Sequence, residues 1–190
     1  LSALPTEHYL NVGMVGMHGN YGPNVLTNEC DLLIAIGMRF DDRVTGNLET
    51  YAKQAKVIHM EIDPAEINKN VECDVAVLGN IKETIPLLTS MVNKSSHKSW
   101  LEKFSFHYEI EFKKVINKEI NPTKNGLTMA EVIKEINNST NGDAIIVTDV
   151  GQHQMVTCRY AKFNKSKSNV TSGGLGTMGF ALPAALGAKM

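Results

Sequence analysis

Three short apolar runs punctuate the first half of the chain: DLLIAIG at 31–37, KVIHMEID at 56–63 and VAVLG at 75–79. Each is stopped by glycine or by Asp63-Pro64. Apolar runs this short and this continuous predict parallel strands buried on both faces. Helical patterns fall around them. Residues 24–29 precede the first run, and Pro64 suits the first turn of a helix over 65–70. Asn80 is placed to cap a helix from Ile81 to about Val92, with Ile81, Ile85, Leu88 and Val92 on one face. Strand and helix alternating in this way predict an α/β unit with a doubly wound parallel sheet.

The pattern changes at about Asn93. NKSSHKSW is polar and reads as a linker. Trp100, Phe104, Tyr108, Phe112 and Ile116 then recur every four residues and predict a long amphipathic helix, with the aromatic stripe as its packing face. Asn121-Pro122 and Asn125-Gly126 are turn signals. Thr128, with Glu131 three residues on, predicts the capped start of a helix reaching Asn138. A strand at 143–151, a helix at 152–161, a short strand at 169–173, a glycine loop and a further helix complete the series. The expected organisation is therefore one α/β domain over 1–92, a linker with an amphipathic helix over 93–127, and the start of a second α/β domain over 128–190.

Composition narrows the function classes. Of 190 residues, 43% are hydrophobic and 21% charged, as in ordinary soluble globular proteins. The net charge of −1 lacks the basic excess of a nucleic-acid partner. No apolar run approaches the roughly 18 residues of a membrane span, and the opening LSALPTEHYL has no signal-peptide character. Cys30, Cys73 and Cys158 are isolated, form no C-x-x-C and predict small buried apolar residues in a reducing compartment. The chain lacks an initiator Met and ends within a helical pattern, so it reads as an internal piece of a longer protein.

Several stretches could carry chemistry. TDVGQHQ (148–154) sits where a strand ends and a helix begins, the usual ligand position in open α/β sheets. Gly151, Gln152 and His153 could present N–H groups and polar side chains to a phosphate. Gly174, Gly176 and Gly179 are spaced G-x-G-x-x-G, with Met178 and Phe180 adding apolar bulk. As a nicotinamide fingerprint this needs an acidic residue about 20 positions later, beyond Met190. Spacing alone thus leaves open a nicotinamide site, a glycine loop for another ligand, and a tight turn with no ligand. GMVGMHGNYG (13–22) is a close-approach loop containing His18. GMRFDDRVTG (37–46) gathers Arg39, Asp41, Asp42 and Arg43 after a strand, as an anion-holding set or as an exposed ion-pair network. EIDPAEI (61–67) ends a strand with acidic groups, suited to a ribose or to helix capping by Asp63.

Taken in order, GMVGMHG, DLLIAIGMRFDDRVTGN, VIHMEIDPAEINKN, TDVGQHQM and SGGLGTMGFALPAALGAKM closely resemble the large catalytic subunits of the acetohydroxyacid synthases (acetolactate synthases). These are thiamine diphosphate enzymes of branched-chain amino acid synthesis. The resemblance covers almost the whole chain and is weakest over 93–125. It implies a Rossmann-like central domain that binds FAD, followed by the start of a thiamine diphosphate-binding α/β domain. It implies FAD contacts at His18, Gly19, Gly37, Met38, Arg39, Glu61, Ile62, Asp63 and Asn80. It also implies thiamine diphosphate contacts at Val150, Gly151, Gln152, His153, Gly176 and Met178, with Met178 as the apolar prop that bends the cofactor. Arg43 resembles a residue near the substrate entrance.

The activity implied is decarboxylation of pyruvate and condensation of the two-carbon unit with a second 2-keto acid, pyruvate or 2-ketobutyrate. FAD is implied in a structural role. The family's activating glutamate and its Mg²⁺-binding motif have no counterpart in these residues, so no metal ligand is assigned and this chain alone is expected to be inactive. Expected partners are 2-keto acids, further copies of the full subunit and a regulatory small subunit, without nucleic acid or membrane. The expected location is the bacterial cytoplasm, with a plastid as the alternative. Two other readings stay open on the residues alone: a nicotinamide-dependent dehydrogenase and a non-catalytic nucleotide-binding relative.

Overall fold

The computed structural model describes residues 1–123 and 126–190. The expected turn at Asn125-Gly126 therefore lies partly outside the described residues. Helix α1 (Tyr21–Thr27) leads into strand β1 (Leu32–Ile36). The short helix α2 (Asp42–Thr45) precedes β2 (Lys56–Glu61) and β3 (Val75–Leu78). The three strands form a parallel sheet in the order β1-β2-β3, with Ile34 opposite Ile58 and Ile58 opposite Val75.

The sheet is not buried on both faces. Leu33 and Ala35 pack into a cluster of Phe40, Tyr51, Ala52 and Val57. On the opposite face Leu32, Ile34 and Ile36 are 43–46% exposed. The described residues provide cover for one side, so the continuous apolar run marks two apolar faces of which one is packed here.

Two local expectations also fail. The helix predicted at 24–29 begins earlier, at Tyr21. The helix predicted over 65–70 is a single 3-10 turn, Pro64–Glu66. Asn68 adopts φ +57, and its side chain accepts from the Cys73 amide at 2.9 Å. That asparagine supplies the chain with a turn in place of a helical bond.

Helix α3 (Ile81–Met91) starts where expected, with the Asn80 side chain accepting from the Lys82 amide at 3.0 Å. Helix α4 (Lys98–Glu111) follows and packs on α1, where Gly22 admits His107 so closely that an added Cβ would lie 3.2 Å from it. Its packed seam keeps Trp100, Phe104 and Phe112 of the predicted stripe but loses Tyr108, which is 54% exposed. A repeat of four advances about 40° per step on a helix of 3.6 residues per turn, so the stripe rotates off the contact. After Phe104 the seam passes through His107 and Glu111 in place of Tyr108. A π-helical turn, Phe112–Ile116, then widens the helix and brings Ile116 back into the interior at 8% exposure. Helix α5 (Asn117–Ile120) continues it.

Helix α6 (Met129–Thr140) has the expected cap, the Thr128 hydroxyl accepting from the Glu131 amide at 3.1 Å. Strand β4 (Ile146–Thr148), helix α7 (Gln152–Tyr160), strand β5 (Asn169–Thr171) and helix α8 (Ala181–Lys189) follow, with β4 and β5 parallel. Ile133, Ala161 and Phe163 form the core of this region. The two regions are tied together. The Thr6 amide donates to the Phe163 carbonyl at 2.9 Å, and the Phe163 amide donates back to the Thr6 hydroxyl at 2.9 Å. The three cysteines are free thiols and half-buried rather than buried, and burial raises the pKa of Cys30 and Cys158. Among the described residues no helix is long and apolar enough to cross a membrane.

Candidate functional site

The residues matching flavin contacts converge on one edge. Parallel register places the carboxyl ends of β1, β2 and β3 side by side, so Gly37, Glu61 and Gly79 are neighbours. The Gly37 amide donates to the Met60 carbonyl at 2.9 Å, and the Gly79 amide to the Glu61 carbonyl at 2.9 Å. Gly37 has φ +60, and nothing lies within 4 Å of an added Cβ, so this turn needs glycine and faces open space. His59 is fully buried beneath the edge. Its Nε2 donates to the Met38 carbonyl at 2.7 Å, and its ring meets Phe40 edge-on, while Nδ1 has no partner.

The loop over 13–20 reaches the same edge, because the Met17 amide donates to the Arg43 carbonyl at 2.7 Å. Two asparagines lock that loop. Asn20 accepts from the Met14 amide at 3.1 Å, and Asn24 makes paired bonds to both Gly16 backbone groups at 2.7 and 2.9 Å. His18 is exposed and Gly19 buried.

The charged side chains here are already partly engaged. Arg39 lies 3.5 Å from Asp41, and Arg43 lies 3.5 Å from Asp42, all at or near the surface. Asp63 caps the 3-10 turn through the Ala65 amide at 2.9 Å, and Asn80 caps α3. Glu61 is buried and accepts from the Ile62 and Asp63 amides at 2.8 and 3.2 Å, which turns the chain over the strand end. Ile62 projects outward at 66% exposure. A cleft of about 310 Å³ opens beside this edge, between Asp41, Asp42, Thr45 and Asn70.

The residues matching thiamine diphosphate contacts meet on a second edge. Thr148 pairs with Thr171, so the loops after β4 and β5 leave the sheet together. Two bonds fasten them: Asp149 accepts from the Ala181 amide at 2.6 Å, and Gln154 donates to the Thr171 hydroxyl at 2.7 Å. Val150 and Gly151 lead into α7, and Gly151 takes φ +144. α7 has no side-chain cap and no acidic residue in its first turn, as is also true of α1, α4 and α8. The first amides of α7, those of Gln152 and His153 among them, therefore have no side-chain acceptor. The loop that follows β5 is open and apolar, with Gly176 at φ +65, Leu175 92% exposed and Met178 82% exposed. Met178 belongs to no core cluster of the described residues. This combination of bare helix N-terminus, glycine turn and exposed apolar side chains fits a cofactor with a diphosphate tail and flat rings. Among the described residues, no three His, Cys, Asp or Glu side chains gather as a metal site.

Sequence reading missed the node that joins the two edges. Glu111, 4% exposed on α4, is paired with Arg159 of α7 and accepts from the Tyr21 amide at 3.0 Å. Arg159 Nη1 donates to the Gly19 carbonyl at 2.8 Å. Its neighbour Tyr160 donates to Glu119, and burial, followed by that bond, pushes its pKa up to about 12. The available signal was a carboxylate on the seam of an otherwise apolar helix face.

Comparison with known proteins agrees with this division. Residues 1–88 match the thiamine pyrophosphate enzyme central domain, and residues 149–190 match the C-terminal TPP binding domain. The chain is 39% identical to the acetolactate synthase large subunit of Buchnera aphidicola subsp. Schizaphis graminum, over 100% of this chain and 33% of that protein. It is 43% identical to the probable acetolactate synthase large subunit of Methanocaldococcus jannaschii, over 98% of this chain and 32% of that one. It is 42% identical to the chloroplastic acetolactate synthase 1 of Nicotiana tabacum, over 100% and 29%. The chain thus spans about a third of the length of the relatives it matches. With both of its edges falling inside these matches, the chain belongs to the thiamine pyrophosphate enzymes, carrying sequence of their central and C-terminal domains.

Proposed function

We propose that this chain is part of an acetolactate synthase catalytic subunit, which decarboxylates pyruvate and joins the two-carbon unit to pyruvate or 2-ketobutyrate. The observation that carries the reading is a chain about 40% identical throughout to relatives of that name, in which the loop into α7 and the loop holding Met178 leave one sheet edge and are tied by the Asp149–Ala181 bond. In this reading the domain limits are 1–92, 93–127 and 128–190. Val150, Gly151, Gln152 and His153 hold the diphosphate, while Gly176 lets the backbone lie close to the ring and Met178 fills the angle between the two rings. Bound there, thiamine diphosphate supplies the carbon nucleophile and electron sink that loss of CO2 from a 2-keto acid requires. The chain's own task is orientation and exclusion of water around it.

The first edge is assigned to FAD, held by His18, Gly19, Gly37, Met38, Arg39, Glu61, Ile62, Asp63 and Asn80. Arg43, beside Asp42 on the exposed turn, faces the substrate entrance. Mg²⁺ accompanies the diphosphate through ligands outside these residues. The full subunit assembles with copies of itself and with a regulatory small subunit, in a bacterial cytoplasm or, as for the chloroplastic tobacco relative, a plastid. The test is acetolactate formation from pyruvate by the full-length protein carrying this chain. Production that depends on added thiamine diphosphate and Mg²⁺ supports the reading. A protein that binds both and leaves pyruvate unchanged overturns it.

A further inference from the structure

We propose that Arg159, held in place by Glu111, is a positioning residue that ties the 13–20 loop to helix α7, so that occupancy at one cofactor edge is felt at the other. The inference rests on the reading of those two edges given above.

The geometry is specific. Arg159 uses all three sides of its guanidinium: Nη2 pairs with Glu111, Nη1 donates to the Gly19 carbonyl at 2.8 Å, and Nε donates to the Tyr160 hydroxyl at 3.2 Å. Glu111 is equally committed. Beyond Arg159, its other oxygen accepts from the Tyr21 amide at 3.0 Å and from the Asn20 side chain at 3.5 Å. Asn20 in turn accepts from the Met14 amide, so the carboxylate grips both ends of the loop that presents His18 and Gly19. Tyr160 extends the chain to Glu119 on α5. One connected set of hydrogen bonds therefore runs from the connecting helices through α7 into the glycine loop.

This loop cannot absorb a displacement. Gly19 is packed so closely that an added Cβ would meet the Met14 carbonyl oxygen at 2.3 Å, and Gly16 would meet the Arg43 carbonyl oxygen at 2.7 Å. α7 is a continuous helix, and Arg159 lies about 10 Å along it from the amides of Gln152 and His153 at a rise of 1.5 Å per residue. A rigid loop and a rigid helix joined by a two-handed guanidinium move as one body. A buried ion pair is a poor device for stability alone, since apolar residues of the same size do as well. Its distinguishing property is directional bonding to several partners at once.

Arg159→Lys separates this role from packing. A lysine keeps the charge opposite Glu111 but cannot also reach the Gly19 carbonyl. Two measurements on the full-length protein decide the matter. In the cofactor-free state, amide hydrogen exchange of peptides covering 14–21 should speed up at least tenfold in R159K and in E111Q, with the β1–β3 strands unchanged. Uniform acceleration across the protein, or none, overturns the proposal. In the second measurement, thiamine diphosphate affinity is read with and without FAD. The parent should show at least fivefold tightening by FAD, within the usual range of site coupling. R159K should fall below twofold, with each cofactor's affinity alone changed by less than threefold. Equal coupling in parent and variant overturns the proposal. A parent that binds neither cofactor overturns the functional reading, and the coupling with it, while the exchange result still decides whether the bridge holds the loop.

Discussion

A Cβ on Gly19 would lie 2.3 Å from the Met14 carbonyl oxygen and 2.6 Å from the Val15 carbonyl carbon, both backbone atoms that cannot swing aside. Gly37 has free space around it but a φ of +60. The two glycines are required for different reasons, and their alanine variants should differ accordingly. Gly19→Ala should cost about 2–3 kcal/mol through forced backbone movement, and Gly37→Ala about 1 kcal/mol through left-handed strain alone. Urea unfolding midpoints compare them, and equal losses would contradict the packing argument. Tyr160 offers a test by pH. Burial first, and then its bond to Glu119, raise its phenol to about 12 in the folded protein. The folded state therefore favours the protonated phenol. The associated stability is fully present below an unfolded pKa of about 10 and is lost as pH climbs through about 12. A tyrosinate absorbance titration should show a last step near that value, absent in Tyr160→Phe. A Tyr160 step near 10 would contradict it.

Among the elements, α6 shows how far local chemistry can be read in advance. Thr128 three residues before Glu131 announced a capped start, and the hydroxyl both accepts from the Glu131 amide and donates to the Glu119 carbonyl at 2.7 Å. Thr128→Ala should cost about 1–2 kcal/mol, and Thr128→Ser should recover most of it. A neutral Thr128→Ala in thermal unfolding would mean that water replaces the cap. α4 shows the limit. Its aromatic stripe was visible, but the buried line follows 3.6 residues per turn through His107 and Glu111, and the π-helical turn resets it at Ile116. No residue spacing encodes that π-turn. The limits of the first three strands were legible because glycine and Asp63-Pro64 stop them, whereas the strand expected over 143–151 is only Ile146–Thr148 and the one expected over 169–173 ends at Thr171. The cover over each sheet face was not, since that depends on what packs from outside the run. The pairing of Glu111 with Arg159 lay deepest, because residues 48 positions apart become partners only in the fold.

At the scale of the whole molecule, the accessible surface is 12813 Å² for 20.9 kDa. A compact monomer of that mass is expected to expose about 9,000 Å². The excess includes Leu32, Ile34 and Ile36 on the sheet and Leu182 and Leu186 on α8. Prepared as 190 residues, the chain should therefore bind a hydrophobic dye strongly and self-associate. A monodisperse monomer without dye binding would contradict this surface. The same openness leaves both candidate edges uncovered: glycines, strand ends and the α7 start are local and legible in sequence, but any site built on them is completed by whatever covers it. The central claim is that one edge takes a diphosphate and the other a flavin nucleotide. It is tested most directly by a crystal structure of the full-length protein with thiamine diphosphate, Mg²⁺ and FAD. The account predicts diphosphate density against the amides of Gln152 and His153, with Met178 against the rings, and FAD along Gly19, Gly37 and Glu61. Thiamine diphosphate bound elsewhere, with the α7 start empty, would contradict it.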